Sequence, residues 1–256
     1  MKILAIANHK GGCGKSATAQ ALGAVLTNSG RRVLLVDVDP QSSLTQACGI
    51  NAEELNLAQV LGNSTPGTVP LAEVLQSLAF GLYLAPADIS LAATELGLVT
   101  RMGRETVLAK ALGAVGRDFD VAIIDCPPSL GVLTLNALTA ADAVLIPTQP
   151  QVVDLRGLRL FLETLDRIRE ALNPDLETLG ILPTFFDGRL VHHRAAIDAM
   201  QNAGLPLLDV RIGRSVRVAE ASANGESVVT YEPDNPQSAA YRELGEVISH
   251  WLEHKT

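Results

Sequence analysis

Lys10 and Lys15 flank Gly11, Gly12 and Gly14 in the stretch KGGCGKSA, which Ser16 and Ala17 close. Successive glycines let a backbone turn tightly and aim its N–H groups inward at an anion. A helix starting near Lys15 adds the positive end of its dipole. In such a phosphate loop Lys15 supplies a mobile charge to the β- and γ-phosphates, and the Ser16 hydroxyl binds Mg²⁺. The plain alternative is a glycine turn with a helix cap. The context argues against it, because the apolar run ILAIAN precedes the loop and the helical stretch TAQALGAVL follows it. Two features depart from the usual G-x-x-x-x-G-K-[ST] pattern: His9 stands where its first glycine belongs, and Lys10 puts a second lysine into the loop.

Nucleotide hydrolysis also needs carboxylates beside the metal and the attacking water. LLVDVDPQ ends in Asp37 and Asp39, and VAIIDCPPS carries Asp125. An aspartate after a strand is often a mere terminator or cap. At the carboxyl ends of parallel strands, however, it faces the ligand crevice of the sheet.

The elements that must hold these groups follow from the hydrophobic pattern. KILAIAN, RRVLLVDVD, GLYLAPA, DFDVAIIDCP, ADAVLIPT, ETLGILPT and LPLLDV read as strands, with helix-length amphipathic stretches at 15–29, 154–172, 190–203 and 237–254. Continuous Val/Ile/Leu strands alternating with helices predict an α/β fold, a mostly parallel doubly wound sheet flanked by helices. Residues 49–80 are turn-rich and polar by comparison and read as a surface excursion, so the whole chain, 1–256, is expected to form one P-loop NTPase domain.

Bulk properties exclude several classes. With 256 residues, 47% apolar and 19% charged, the chain is long and apolar enough for a sizeable core. The formal charge of -8 argues against a broad basic surface, so contact with nucleic acid must come from local arginines. Three scattered cysteines, Cys13, Cys48 and Cys126, suit a reduced, cytoplasmic protein and offer no metal-ligand spacing. No apolar stretch reaches the roughly 18 residues of a membrane span. No G-x-S-x-G elbow supports a hydrolytic triad. His192 and His193 lack a ligand partner at metal spacing and are expected on a solvated helix face.

Taken together, KGGCGKSA, RRVLLVDVDPQ, FDVAIIDCPPSLGVLTLNALTAADAVLIPTQ, GILPTFFDGR, GRSVRVAEASANGESVVTYEP and AAYRELGEVI occur in the order found in the ParA family of deviant-Walker partition ATPases. That family belongs to a wider group including MinD and the nitrogenase iron protein. The resemblance implies ATP and Mg²⁺ as ligands. It makes Lys10 a signature lysine that reaches across an ATP-sandwich homodimer to the partner's phosphates, a cation supplied in trans. By the same carry-over Asp39 positions the attacking water, Asp125 holds the Mg²⁺ shell through water, and Asp37 is left open, with orienting the loop as one option. The nucleotide would contact residues 10–17, with Cys13 and Ala17 among them, and adenine would lie near Thr184, Phe185, Asp187, Ile212 and Gly213. The chain departs from the family at Ala17, at Ser42-Ser43 where glycine-asparagine is usual, and at Gly213 where proline is usual.

The family's task is nonspecific binding of double-stranded DNA as an ATP dimer, with hydrolysis stimulated by a ParB-like partner, which implies a nucleoid-associated protein. Arg211, Arg214 and Arg217 recur every third residue; on a helix this spacing keeps charges on one side. Alone, such a face is ordinarily solvated. The match at GRSVRVAE assigns DNA contact to Arg214 and Arg217, with Arg189 added from an earlier segment. The absence of a helix-turn-helix segment before the loop resembles the short, chromosomal-type members. The alternative is a MinD-like membrane-positioning ATPase, which needs a basic amphipathic C-terminal helix. Here Tyr241, Leu244, Ile248 and Trp251 form a stripe opposite Glu243, Glu246 and Glu253, with only Arg242 and Lys255 as cations, so core packing and no membrane contact are expected. A metabolic reductase or ligase on the same fold is a third class; a bridging iron–sulfur cluster would need paired cysteines, which Cys13 and Cys126 do not provide.

Overall fold

The computed structural model describes residues 1–52, 55–62, 69–79, 81–151 and 155–254. Strands β1 (Lys2–Ile6), β2 (Val33–Asp37), β3 (Gln76–Ala79), β4 (Leu82–Ala85), β5 (Val121–Asp125), β6 (Ala143–Thr148) and β7 (Glu177–Pro183) form one seven-stranded sheet in the order β3-β4-β2-β5-β1-β6-β7. Every pairing is parallel except β3 with β4. All residues of β2, β5 and β6 are buried, which is why these segments read as continuous apolar runs: both faces need cover.

Alternation along each strand feeds two separate cores. Val33, Leu35, Val121 and Ile123 point into one, and Leu34, Val36, Ala122 and Ile124 into the other. The first core is closed by α1 (Lys15–Asn28), α2 (Ser43–Ala47), α10 (Val216–Ala223), α11 (Val228–Tyr231) and α12 (Pro236–His254). The second is closed by α3 (Leu57–Gly62), α4 (Leu71–Val74), α5 (Ser90–Leu98), α6 (Val107–Val115), α7 (Val132–Ala140), α8 (Leu155–Ala171) and α9 (Val191–Asn202).

The C-terminal stripe is used for packing. Tyr241, Leu244, Ile248 and Trp251 are buried in the first core, and α12 lies so close to α1 that a Cβ on Gly245 would sit 2.3 Å from Val25 Cγ1. Fully burying side chains of this size stabilises by about 1.5–3 kcal/mol each relative to leaving them in water, so the stripe serves the core. Lys255, weighed for the membrane alternative, lies outside the described residues. Among those described, no helix is long and apolar enough to cross a membrane.

Three expectations need correction. LPLLDV is no strand: Pro206 has no N–H to donate, and the segment meets β7 only through an isolated Ile181–Leu207 bridge and its flanking bonds. Conversely β3, with the mostly exposed sequence QSLA, lacks any apolar run yet pairs at the sheet edge. Finally, 49–80 is more than surface: within its described part Leu57, Leu61, Leu71 and Val74 are core residues. The four expected helices are found within one residue at each end, save that position 154 lies outside the described residues.

Candidate phosphate and metal site

The loop joining β1 to α1 crosses the carboxyl edge of the sheet, where parallel strands place their ligands. Gly12 and Gly14 adopt φ of 68° and 87°, the left-handed region that only glycine enters freely. The loop is held from below. Thr184 Oγ1 donates to the Cys13 carbonyl at 2.8 Å, Asn8 Oδ1 accepts from Lys10 N at 3.1 Å, and Asn8 Nδ2 donates to the Pro147 carbonyl at 2.7 Å. The Cys13 side chain is buried, and its thiol is pushed up by burial against the opposing charge of Lys15. No side chain caps the N-terminus of α1, so its first N–H groups remain directed at the cleft. Gly14→Ala is expected to destabilise the protein by about 1–2 kcal/mol and to weaken nucleotide uptake, both measurable by thermal melts with and without nucleotide.

The two lysines behave differently. Lys15 is 7% exposed, and its Nζ folds back to the Lys10 carbonyl at 3.3 Å. Lys10 instead reaches the exposed Gln151, Nζ to Oε1 at 3.1 Å. A cleft of about 390 Å³ opens above the loop, lined among others by Gly11, Lys15, Ser16, Ala17, Asp39, Pro128 and Phe185.

Strand register explains the carboxylates. Asp37 on β2 stands directly beside Asp125 on β5, and Asp125 beside Ile6, the last residue before the loop. Asp37 is fully engaged: Oδ2 accepts from Thr45 N at 2.9 Å and Thr45 Oγ1 at 2.7 Å, and Oδ1 from Asp39 N at 3.1 Å. Its acceptors are spent orienting the segment that carries Asp39, whose own Oδ1 accepts from Gln41 N at 2.9 Å. Burial pushes the Asp37 pKa up to about 6 despite the Thr45 bonds. Asp125 is the opposite case, with both oxygens buried and no hydrogen-bond partner. Burial first, then the charge of Asp37, holds its pKa well above the carboxylate range; the nearby Ser16 hydroxyl and Lys15 only partly offset this.

Two orphaned oxygens on a buried carboxyl beside a serine hydroxyl and a second aspartate are a set of hard donors that fits Mg²⁺, an ion that takes few protein ligands and keeps water and phosphate for the rest. Among the described residues no group of three or more His, Cys, Asp and Glu is arranged to hold a metal by itself.

Comparison with known proteins shows the family. A family model described as an AAA domain matches residues 1–178. The chain is 41% identical over 255 residues to the chromosome partitioning protein ParA of Caulobacter vibrioides, covering 97% of this chain and 94% of that one. It is 38% identical over 253 residues to the sporulation initiation inhibitor protein Soj of Bacillus subtilis, covering 97% and 98%. The chain belongs to the ParA family. Among solved structures, a cobyrinic acid a,c-diamide synthase from Mycobacterium smegmatis with bound ADP and magnesium superposes with a TM-score of 0.86 at 40% identity, covering 99% of this chain and 96% of that one.

In this ParA-family chain the residues expected around adenine cluster beside the loop. Phe185, at φ 52°, lays its ring 3.6 Å from where a Gly14 Cβ would be. Phe186 N donates to the Ile212 carbonyl at 3.0 Å, which brings 184–187 against Ile212 and Gly213. Ile212 is itself 4% exposed and packs in the core, so its side chain does not line the cleft. Gly213 N donates to Gln237 Oε1 at 2.6 Å, a bond that the family's proline could not make. Asp187 is tied to Arg189, which holds its carboxyl down to about 2.

The arginines do not share a helix face. Only Arg217 lies on α10; Ser215 is its N-cap, and Arg211 and Arg214 precede it on a segment bonded to the end of β7. Arg211 stacks on Phe186 at 4.8 Å and Arg214 on Phe185 at 5.9 Å, while Arg217 pairs with Glu220 and Glu232. His193 also departs from the solvated face expected for it: it is 8% exposed, its Nδ1 accepts from Asp187 N at 3.0 Å, and its ring stacks on Phe186. All three cysteines are free and buried, as small packing residues should be. Asn8, Thr45, Gln149 and Gln151 escaped the sequence reading, although Gln149 Nε2 donates to the Gly12 carbonyl at 3.0 Å; two glutamines flanking a proline carry no local signal.

Proposed function

We propose that residues 1–256 form one ATPase domain that binds ATP with Mg²⁺, closes as an ATP-sandwich homodimer, and binds double-stranded DNA nonspecifically to segregate a chromosome or plasmid with a ParB-like partner. The observation that carries the reading is the division of labour between the two loop lysines: Lys15 buried over its own loop, Lys10 extending toward exposed Gln151. Lys15 and the loop N–H groups hold the β- and γ-phosphates of the bound nucleotide. Ser16, Asp39 and, through water, Asp125 would hold Mg²⁺, which when bound neutralises phosphate charge. Asp39 orients the attacking water, and Asp37 acts through it as a positioning residue. Lys10 supplies charge to the neighbouring copy's phosphoryl group, so hydrolysis dissolves the pair.

DNA contact falls to Arg189, Arg214 and Arg217. Arg189 and Arg217 would exchange exposed ion pairs for phosphates, a small loss because water and salt screen such pairs. Dimerisation doubles the patch and sharpens its salt dependence. Arg214→Glu is expected to abolish ATP-dependent retention on DNA while nucleotide affinity stays within about twofold, a twofold change in affinity being only a few tenths of a kcal/mol. Normal retention by that variant in a filter-binding assay removes the assignment.

The similarity to the Mycobacterium smegmatis cobyrinic acid a,c-diamide synthase supports a second reading, an ATP-dependent ligase on the same fold. Phosphate release that needs no organic acceptor and rises with DNA decides for the partition reading.

A further inference from the structure

We infer that Gln20, together with the backbone contact between Gly49 and Gly225, forms a joint that transmits the nucleotide state of α2 to α10. The joint deepens the reading given above and takes from it that the cleft binds nucleotide and that α10 carries a DNA-contacting arginine.

Gln20 lies on α1, behind the phosphate loop, and is 6% exposed. Its Nε2 donates to the Ala47 carbonyl at the end of α2, and its Oε1 accepts from Ser222 Oγ of α10 at 3.4 Å. One buried amide therefore spends its donor on one helix and its acceptor on another. Leaving either unmade would strand a buried polar atom.

Beside it, Gly49 and Gly225 adopt φ of 70° and 75°, and their backbones touch. A Cβ on Gly225 would fall 3.0 Å from Gly49 Cα, and one on Gly49 3.2 Å from Gly225 Cα. No side chain lies between them to absorb a displacement, and packed interiors transmit strain.

The far end of α2 is fastened to the site: Gln41 and Ser43 line the cleft, and Thr45 is bonded to Asp37. The helix is entered through Ser42 at φ 52°, a non-glycine residue in the left-handed region. Such a residue marks a segment that its surroundings over-determine and that a ligand can re-set. A rearrangement of 39–45 about the γ-phosphate would therefore move α2, and with it Gln20's two bonds and the Gly49–Gly225 contact, onto the helix that bears Arg217.

Hydrogen exchange on the full chain tests this. In the wild type, ATP with Mg²⁺ should change exchange of the α10 amides, relative to ADP, by about fivefold or more, the low end of measured site-to-site couplings. Gln20→Met keeps the volume and removes both bonds. It should lose that response while the loop amides stay protected by nucleotide. Ser222→Ala, which cuts only the α10 arm, should reduce the response and serves if the first variant melts early. A wild-type-sized α10 response in nucleotide-loaded Gln20→Met and Ser222→Ala overturns the joint, as does a wild type whose α2 responds while α10 does not. An α10 response in a wild type that never retains DNA leaves the joint standing and sinks the DNA reading instead.

Discussion

Replacing Lys10 by alanine is expected to leave ATP uptake within about threefold of wild type and to cut turnover by about 10³-fold, the low end for a cation supplied in trans. What the loop takes from Lys10 is mostly backbone: its carbonyl accepts from Cys13 Sγ at 3.2 Å and from Lys15 Nζ at 3.3 Å, and its N–H donates to Asn8 Oδ1. Alanine keeps all of these and removes the ammonium with its reach to Gln151. Lys15→Ala, by contrast, removes a buried charge from the cleft itself and should abolish uptake. Fluorescent-ATP titration, phosphate release and light scattering with ATP separate the two. Lys10→Ala should bind nucleotide yet stay monomeric, and wild-type turnover by this variant would falsify the trans role.

How far the site was legible depended on whether its cause was local. The strands announced themselves because β2, β5 and β6 are covered on both faces. The loop announced itself because Gly12 and Gly14 need positive φ. Asp125 could be placed from its position after a strand, but its orphaned oxygens come from the register that sets it beside Asp37 across two strands that are 88 residues apart in the chain. The sequence left Asp37 open; its three accepted bonds show that it orients the segment bearing Asp39. The arginine spacing misled for a physical reason. A three-residue repeat suggests one helix face, but Ile212 N donates to the Pro183 carbonyl and Phe186 bridges Gly213, which holds Arg211 and Arg214 extended against two aromatic rings. His193 misled similarly, because its burial depends on Phe186 arriving from the end of β7.

Asp125→Asn should make the nucleotide-free protein more stable and the enzyme slower at once. A buried carboxylate with no donor to either oxygen is a standing cost. Its neutral isostere removes the charge and leaves only an amide to satisfy, for a net gain of about 1–2 kcal/mol, or roughly 2–8 °C in melting temperature for a chain of this size. The sign with pH follows from the direction of the shift. A carboxyl whose pKa is raised on folding binds its proton more tightly in the folded state, so its contribution is favourable in acid and is lost as pH rises from the unfolded value near 4. For Asp37 that loss runs from there to about 6; for Asp125, raised well above the carboxylate range, it extends further. Wild type and Asp125→Asn should therefore melt together near pH 4 and separate as pH rises to 8. The same substitution removes the anionic acceptor proposed for the Mg²⁺ shell, so magnesium-dependent phosphate release should fall about 10- to 100-fold. Equal melting temperatures at pH 8, or undiminished magnesium-dependent turnover, would show that Asp125 finds its partner within the protein and not in the ion.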